Sequence, residues 1–150
     1  MVLSTEKVTH KEGNPVRTIT SGCNTAIENL SRFIELICSP LTENMTCRIK
    51  DTAHLLTIND TLNENSISDD TKLVSFDIIN MFPSIDYERG IEAVKNLLNS
   101  RTINKPSTEC IIEGLELCLN NNNSVFANEH LLQTNGTATG APNSCSYADI

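Results

Sequence analysis

The sequence has no tryptophan, two tyrosines and four phenylalanines, so aromatics make up only 4% of its 150 residues. Its core must be built from aliphatic side chains, and a hydrophobic fraction of 39% is enough for one domain of ordinary size. No run approaches the roughly 18 consecutive apolar residues of a membrane-spanning helix. Residues 1–13 are polar and lack the apolar stretch of a secretion signal. Both absences point to an intracellular chain with no membrane partner. The six cysteines, at 23, 38, 47, 110, 118 and 145, never form a C-x-x-C pair. That argues against a zinc site and for thiols, several of them on apolar helix faces. Five N-x-S/T tripeptides carry no weight without a secretion signal.

Basic residues are also scarce, 11 against 19 acidic, for a net charge of −8. A simple nucleic-acid binder is expected to be basic. The distribution matters more than the sum. Residues 1–50 hold six Lys/Arg and five Asp/Glu, whereas residues 51–150 hold five and fourteen. The first third is thus the cationic part, and the acidity beyond it fits solvated helix faces or a nucleic-acid surface that these residues mostly lack.

Periodicity predicts an α+β chain. Gly13 marks the tip of a hairpin whose second strand is Val16–Thr20. Thr25-Ala-Ile-Glu28 reads as a capping box opening a helix with Ile27, Leu30, Phe33, Ile34, Ile37 and Leu41 on one stripe, ended or bent by Pro40. A second helix is expected from about Asp51 to Leu62, followed by a polar linker through Thr71. Leu73–Asp77 reads as a short apolar strand ending in a carboxylate, and Met81–Ile85 as irregular. A helix capped by Asp86 buries Tyr87, Ile91, Val94 and Leu98. Another, starting at Pro106-Ser107, carries Ile111, Ile112, Leu115, Cys118 and Leu119. A tight hairpin turns at Asn128-Glu129. A glycine-bearing loop, Gly136 to Pro142, leads into a last helix capped by Asn143 or Ser144.

Three constellations carry chemistry. In Val74-Ser-Phe-Asp77-Ile-Ile-Asn-Met-Phe82, an Asp at the carboxyl end of a strand can hold hard Mg²⁺ ions, and phosphoryl transfer uses two of them roughly 3.5–4 Å apart. An aromatic five residues on can sit beside a nucleotide sugar. The competing reading is a strand that merely ends in Asp, with Phe82 in the core. In His10–Arg17, Lys11 and Arg17 flank a hairpin tip where flexible cations can close over a triphosphate. Merely solvated surface charges are the alternative. In Gln133–Pro142, glycines allow close approach of backbone and substrate, or simply make a turn. No Lys follows Gly140, so the segment is not the G-x-x-x-x-G-K-[ST] phosphate loop.

The order and spacing of the three are more specific than any one of them. H-K-x-G-N-P-x-R with the following Ile19-Thr-Ser-Gly22, then V-S-F-D-x-x-x-x-F, then Q-x-x-G-x-x-x-G-x-P resemble the reverse transcriptases of Penelope-like retroelements, and telomerase-like and other reverse transcriptases more distantly. The resemblance covers roughly residues 8–150. It implies one partial reverse-transcriptase domain over 1–150, with a fingers-like part at about 8–72 and a partial palm with inserted helices at about 73–150. The implied fold is the fingers and partial palm of a right-hand polymerase, truncated before the catalytic paired-Asp hairpin.

By the same resemblance, Asp77 is the first catalytic aspartate, binding both Mg²⁺ ions, and the Ile78 backbone carbonyl binds metal. Phe82 is the steric gate against a ribose 2′-hydroxyl. Lys11 and Arg17 contact triphosphate and template. Gln133, Gly136, Gly140 and Pro142 position nucleotide and template. The implied partners are an RNA template, a DNA primer and deoxynucleoside triphosphates, and nuclear action is the family's expectation. Two departures are mild: Thr18 stands where Pro is usual, and Thr139-Gly-Ala-Pro where Met-Gly-Ser-Pro is common.

The family's paired-Asp turn lies further downstream. Tyr147-Ala-Asp149-Ile150 begins only seven residues after Gly140 and has Ile at the second Asp position, so Asp149 is expected early in the last helix instead. One carboxylate cannot hold two Mg²⁺ ions, so these residues alone are expected to be inactive. Without the central hairpin the strand ending at Asp77 exposes an unpaired edge, and marginal stability or aggregation is expected. The alternative function is a non-catalytic, retroelement-derived nucleic-acid-binding remnant. A third reading, an unrelated α+β interaction domain, treats all three motifs as chance.

Overall fold

A computed structural model describes residues 3–7, 16–20, 22–43, 45–64, 68, 70–126 and 128–150. The class is α+β. Strands β1 (Leu3–Lys7) and β2 (Val16–Thr20) pair antiparallel, from Leu3 opposite Thr20 to Lys7 opposite Val16. The hairpin is the one expected, and its tip at Gly13 lies outside the described residues. Strands β3 (Asn123–Phe126) and β4 (Glu129–Leu132) form a second antiparallel pair. Asn128 turns it with a left-handed φ of 65°, a conformation Asn tolerates better than most residues.

Helices α1 (Glu28–Thr42), α4 (Tyr87–Asn99), α5 (Thr108–Asn120) and α6 (Ser144–Asp149) enclose the core. Ile34 and Cys38 of α1 meet Val94 and Leu98 of α4, Ile111, Leu115, Cys118 and Leu119 of α5, and Tyr147 of α6. Each fully buried aliphatic side chain contributes roughly 1.5–3 kcal/mol. Burial raises the Cys38 and Cys118 thiols to about 11, so both stay protonated at neutral pH. The apolar stripes of α4 and α5 are those the 3.6-residue period predicts. Asp86 caps α4 by accepting from the Arg89 N–H at 2.9 Å, and Ser107 caps α5 by accepting from the Cys110 N–H at 3.3 Å.

Tyr147 is 4% exposed and its hydroxyl has no hydrogen-bond partner among the described residues. Its ring lies against Gly90, where a β-carbon would sit 2.6 Å from Cζ and collide with the hydroxyl. Burial pushes this phenol up to about 12, and Tyr87 and Asp86 add to the effect. A buried polar group without a partner costs about 1–3 kcal/mol. Tyr147→Phe is therefore expected to stabilise the fold by about 1 kcal/mol, raising the melting temperature by about 2–4 °C. A fall in melting temperature would show that the hydroxyl has a partner.

Four expectations need correction. Thr25–Glu28 is not a capping box: the Thr25 hydroxyl donates to the Gly22 carbonyl, and Glu28 accepts from the Asn24 N–H while pairing with Arg32. The helix starts at Glu28 and runs to Thr42, with Pro40 inside its last turn. Phe33 falls on the outer side of the α1 stripe and is half exposed. Met81–Ser84 forms a short helix, α3, where irregular chain was expected, entered through Asn80 at φ 52°. Most consequential, Leu73–Asp77 is not a strand. Residues 71–80 run exposed and without a ladder partner between helix α2 (Thr52–Glu64) and α3. A strand needs hydrogen bonds from a neighbour, and among the described residues none is offered.

Candidate functional site

The site lies where the end of β2, helix α3 and the loop from Gln133 to Pro142 meet. Two backbone hydrogen bonds join β2 to the loop, the Gly22 N–H donating to the Gly140 carbonyl and the Gly140 N–H to the Thr20 carbonyl, each at 2.9 Å. The approach is close: a β-carbon on Gly22 would lie 2.7 Å from the Gly140 oxygen and 2.9 Å from Ala141 Cα.

The same loop docks on α3 at its other end. The Thr137 N–H donates to the Phe82 carbonyl at 3.0 Å. Gly136 has a φ of 64° and touches the Phe82–Pro83 backbone, where a β-carbon would collide with the Phe82 oxygen and lie 2.7 Å from Pro83 Cα. Gln133 holds the loop from inside, its side-chain amide donating to the carbonyls of Asn135 at 2.8 Å and Thr137 at 2.9 Å. Thr137 and Ala138 are fully buried. The loop is therefore a fixed bridge between β2 and α3. Beside it a cavity of about 230 Å³ is lined by Thr20, Pro83, Ser124, Leu131, Leu132, Gln133 and Thr139, with largely apolar walls.

The positions singled out from sequence fare differently. Phe82, Gln133, Gly136, Gly140 and Pro142 are brought together around this junction. Gln133, expected to position nucleotide and template, spends both amide hydrogens on the loop's own backbone. Asp77 and Ile78 are exposed on the segment that enters α3, five and four residues before Phe82. At about 3.3–3.6 Å per residue, Asp77 lies within roughly 18 Å of Phe82. Arg17 stands opposite Glu6 in the β1–β2 register, and Lys11 lies outside the described residues.

Among the described residues no group of three or more His, Cys, Asp or Glu side chains is arranged to hold a metal ion. Asp77 offers hard oxygens suited to Mg²⁺, which prefers an octahedron of oxygen ligands. One carboxylate and one carbonyl do not complete a two-ion site. Asp149 lies in α6, and its carboxylate pairs with Arg48 at 3.2 Å.

Sequence reasoning missed Thr20, Gly22 and Thr137 as functional positions, although Gly22 closes the Ile-Thr-Ser-Gly run already singled out. Asn80 was also missed. It supplies the left-handed turn between Asp77 and α3, and Asn ahead of Met-Phe-Pro is the signal the sequence offers. No family model, curated protein or solved structure matches the chain. Among the described residues, no helix is long and apolar enough to cross a membrane.

Proposed function

We propose that the chain is the fingers and partial palm of an RNA-directed DNA polymerase of the Penelope-like type. The observation that carries this reading is the junction itself. Three segments far apart in sequence, the Ile19–Gly22 run that follows the cationic hairpin, the helix that carries Phe82 and the Gln133–Pro142 loop, meet at one place through Gly22–Gly140 and Phe82–Thr137. Each adjoins or contains one of the runs that carry the resemblance, and their meeting supports the reading. The adjacent cavity, with Leu131, Leu132 and Pro83 on its walls, offers an apolar surface to a base or sugar.

In this reading Asp77 supplies one carboxylate of a Mg²⁺ site, and further carboxylates outside these 150 residues complete it. The ions, when bound, stabilise the charge that develops as a primer 3′-hydroxyl attacks a deoxynucleoside triphosphate. Phe82 is held by its backbone carbonyl and limits room at the sugar. The glycine loop keeps α3 and β2 in fixed relation, so that a nucleotide set against one is in register with the other. The hairpin cations Lys11 and Arg17 would meet the triphosphate and template.

The deciding experiment assays RNA-templated deoxynucleotide incorporation by two chains. One is the 150-residue chain, and the other is the longest open frame that contains it. The expected result is no incorporation by the first and Mg²⁺-dependent incorporation by the second. Incorporation by the 150 residues alone contradicts the incomplete metal site. A longer frame that binds RNA but incorporates nothing replaces the polymerase reading with that of a non-catalytic binding remnant.

A further inference from the structure

Asn is among the best residues for capping a helix start, where its side-chain oxygen accepts from an N–H one turn further in. Asn143 stands at that position before α6, at φ −84° and ψ −1°, and makes no such bond. Its Oδ1 instead accepts from the Ser31 hydroxyl at 2.5 Å, and its backbone N–H donates to the same Ser31 oxygen at 3.1 Å. The two residues lie 112 positions apart. The Asn143 Nδ2 is buried and has no partner among the described residues. Helix α6 thus gives up a local cap, and leaves one donor unsatisfied, for a single remote contact. Departures from local rules are expected where a position serves a site.

Ser31 is equally out of place. It is 1% exposed, on the core face of α1, in the stripe Ser31, Ile34, Cys38 and Thr42. A Ser inside a helix commonly points to solvent or bonds back to the preceding turn. Here the hydroxyl donates once and accepts once, and both bonds go to Asn143. A ring of two hydrogen bonds fixes direction as well as distance, which an apolar contact does not. Asn143 directly follows Pro142, so the ring pins the end of the glycine loop. The loop is then held at three places: on α3 through Gly136 and Thr137, on β2 through Gly140, and on α1 through Asn143. Two fixed points leave a segment free to turn about the line between them. The third removes that freedom.

We propose that Ser31 is a positioning residue for the candidate site, setting through Asn143 the orientation of the glycine loop against β2 and α3. The step from loop orientation to nucleotide binding rests on the polymerase reading, and the orientation itself does not. The competing role for the pair is to hold α1 to α6 and nothing more.

Two variants separate these roles. Ser31→Ala strands the Asn143 N–H and Oδ1 and should lower the melting temperature by roughly 3–10 °C. The double variant Ser31→Ala, Asn143→Leu makes both side chains apolar, which removes most of that penalty, and should recover about half of the loss or more. Amide proton shifts in the 150-residue chain read the loop, because a lengthened hydrogen bond moves its proton upfield. The Gly22, Gly140 and Thr137 protons should move in both variants, while those of Val94 and Leu98 in α4 stay in place. In an active frame both variants should raise the KM for deoxynucleotide roughly tenfold and leave kcat within about twofold. Where Ser31→Ala does not fold, the double variant carries the test. Loop protons that stay in place, or that return in the double variant as stability does, overturn the proposal. A double variant that does not fold overturns it too, since the pair then supports the fold alone, and so does an unchanged KM in a frame that incorporates. A parent frame without incorporation ends the polymerase reading and leaves the proton shifts to decide this one.

Discussion

Asp77→Ala, made in an active frame that contains these residues, should lower deoxynucleotide incorporation by about a thousandfold or more and leave the melting temperature unchanged. A metal ligand stabilises developing charge by several kcal/mol, and each 1.36 kcal/mol is a factor of ten in rate. The stability half of the expectation comes from the structure. Asp77 is exposed, makes no hydrogen bond or ion pair among the described residues, and lies on a segment without ladder partners. Surface changes of that kind stay within about 0.5 kcal/mol. The two readouts therefore separate chemistry from folding. An Asp77→Ala enzyme that retains incorporation removes Asp77 from the metal site. One that loses activity and stability together gives Asp77 a structural role that its exposure does not suggest.

Gly136→Ala should damage the fold severely. Two costs add. A left-handed φ of 64° costs a residue with a β-carbon roughly 1–2 kcal/mol. The new β-carbon would also drive into the Phe82 carbonyl and the Pro83 backbone, and overpacking costs about 1–3 kcal/mol more because neither neighbour is a flexible side chain. A loss of roughly 2–5 kcal/mol is a large part of the 5–15 kcal/mol that holds an ordinary domain together. In melting temperature it is a fall of roughly 10 °C. Asn128 makes the control, since its φ of 65° is the same but it sits in an exposed turn. Asn128→Ala should cost only about 1 kcal/mol. Equal losses at the two positions would mean that the loop does not press on α3, and the junction would lose its central contact.

How much of the molecule could be read from the sequence follows from the range of the forces involved. The helices α4 and α5, their caps at Asp86 and Ser107 and the turn at Asn128 were all legible. Each depends on residues within four or five positions of one another, so the pattern of side chains is itself the cause. The start of α1 was misread because Thr25 and Glu28 have two ways to satisfy nearby backbone groups, and the chain before the helix chose between them. The motifs around Asp77, Gln133 and Gly140 could be listed from sequence, but not their meeting place.

By itself the sequence determined the α+β class, the apolar stripes of the core and the β-forming character of Leu73–Ile79. Only the tertiary structure decided that this run, for all its propensity, has no ladder partner among the described residues, because a strand's hydrogen bonds must come from elsewhere in the chain. Only the tertiary structure decided that Gly22 meets Gly140 and that Gly136 meets Phe82. Those contacts span 118 and 54 residues, and no local pattern encodes a distance that closes only when the whole fold does.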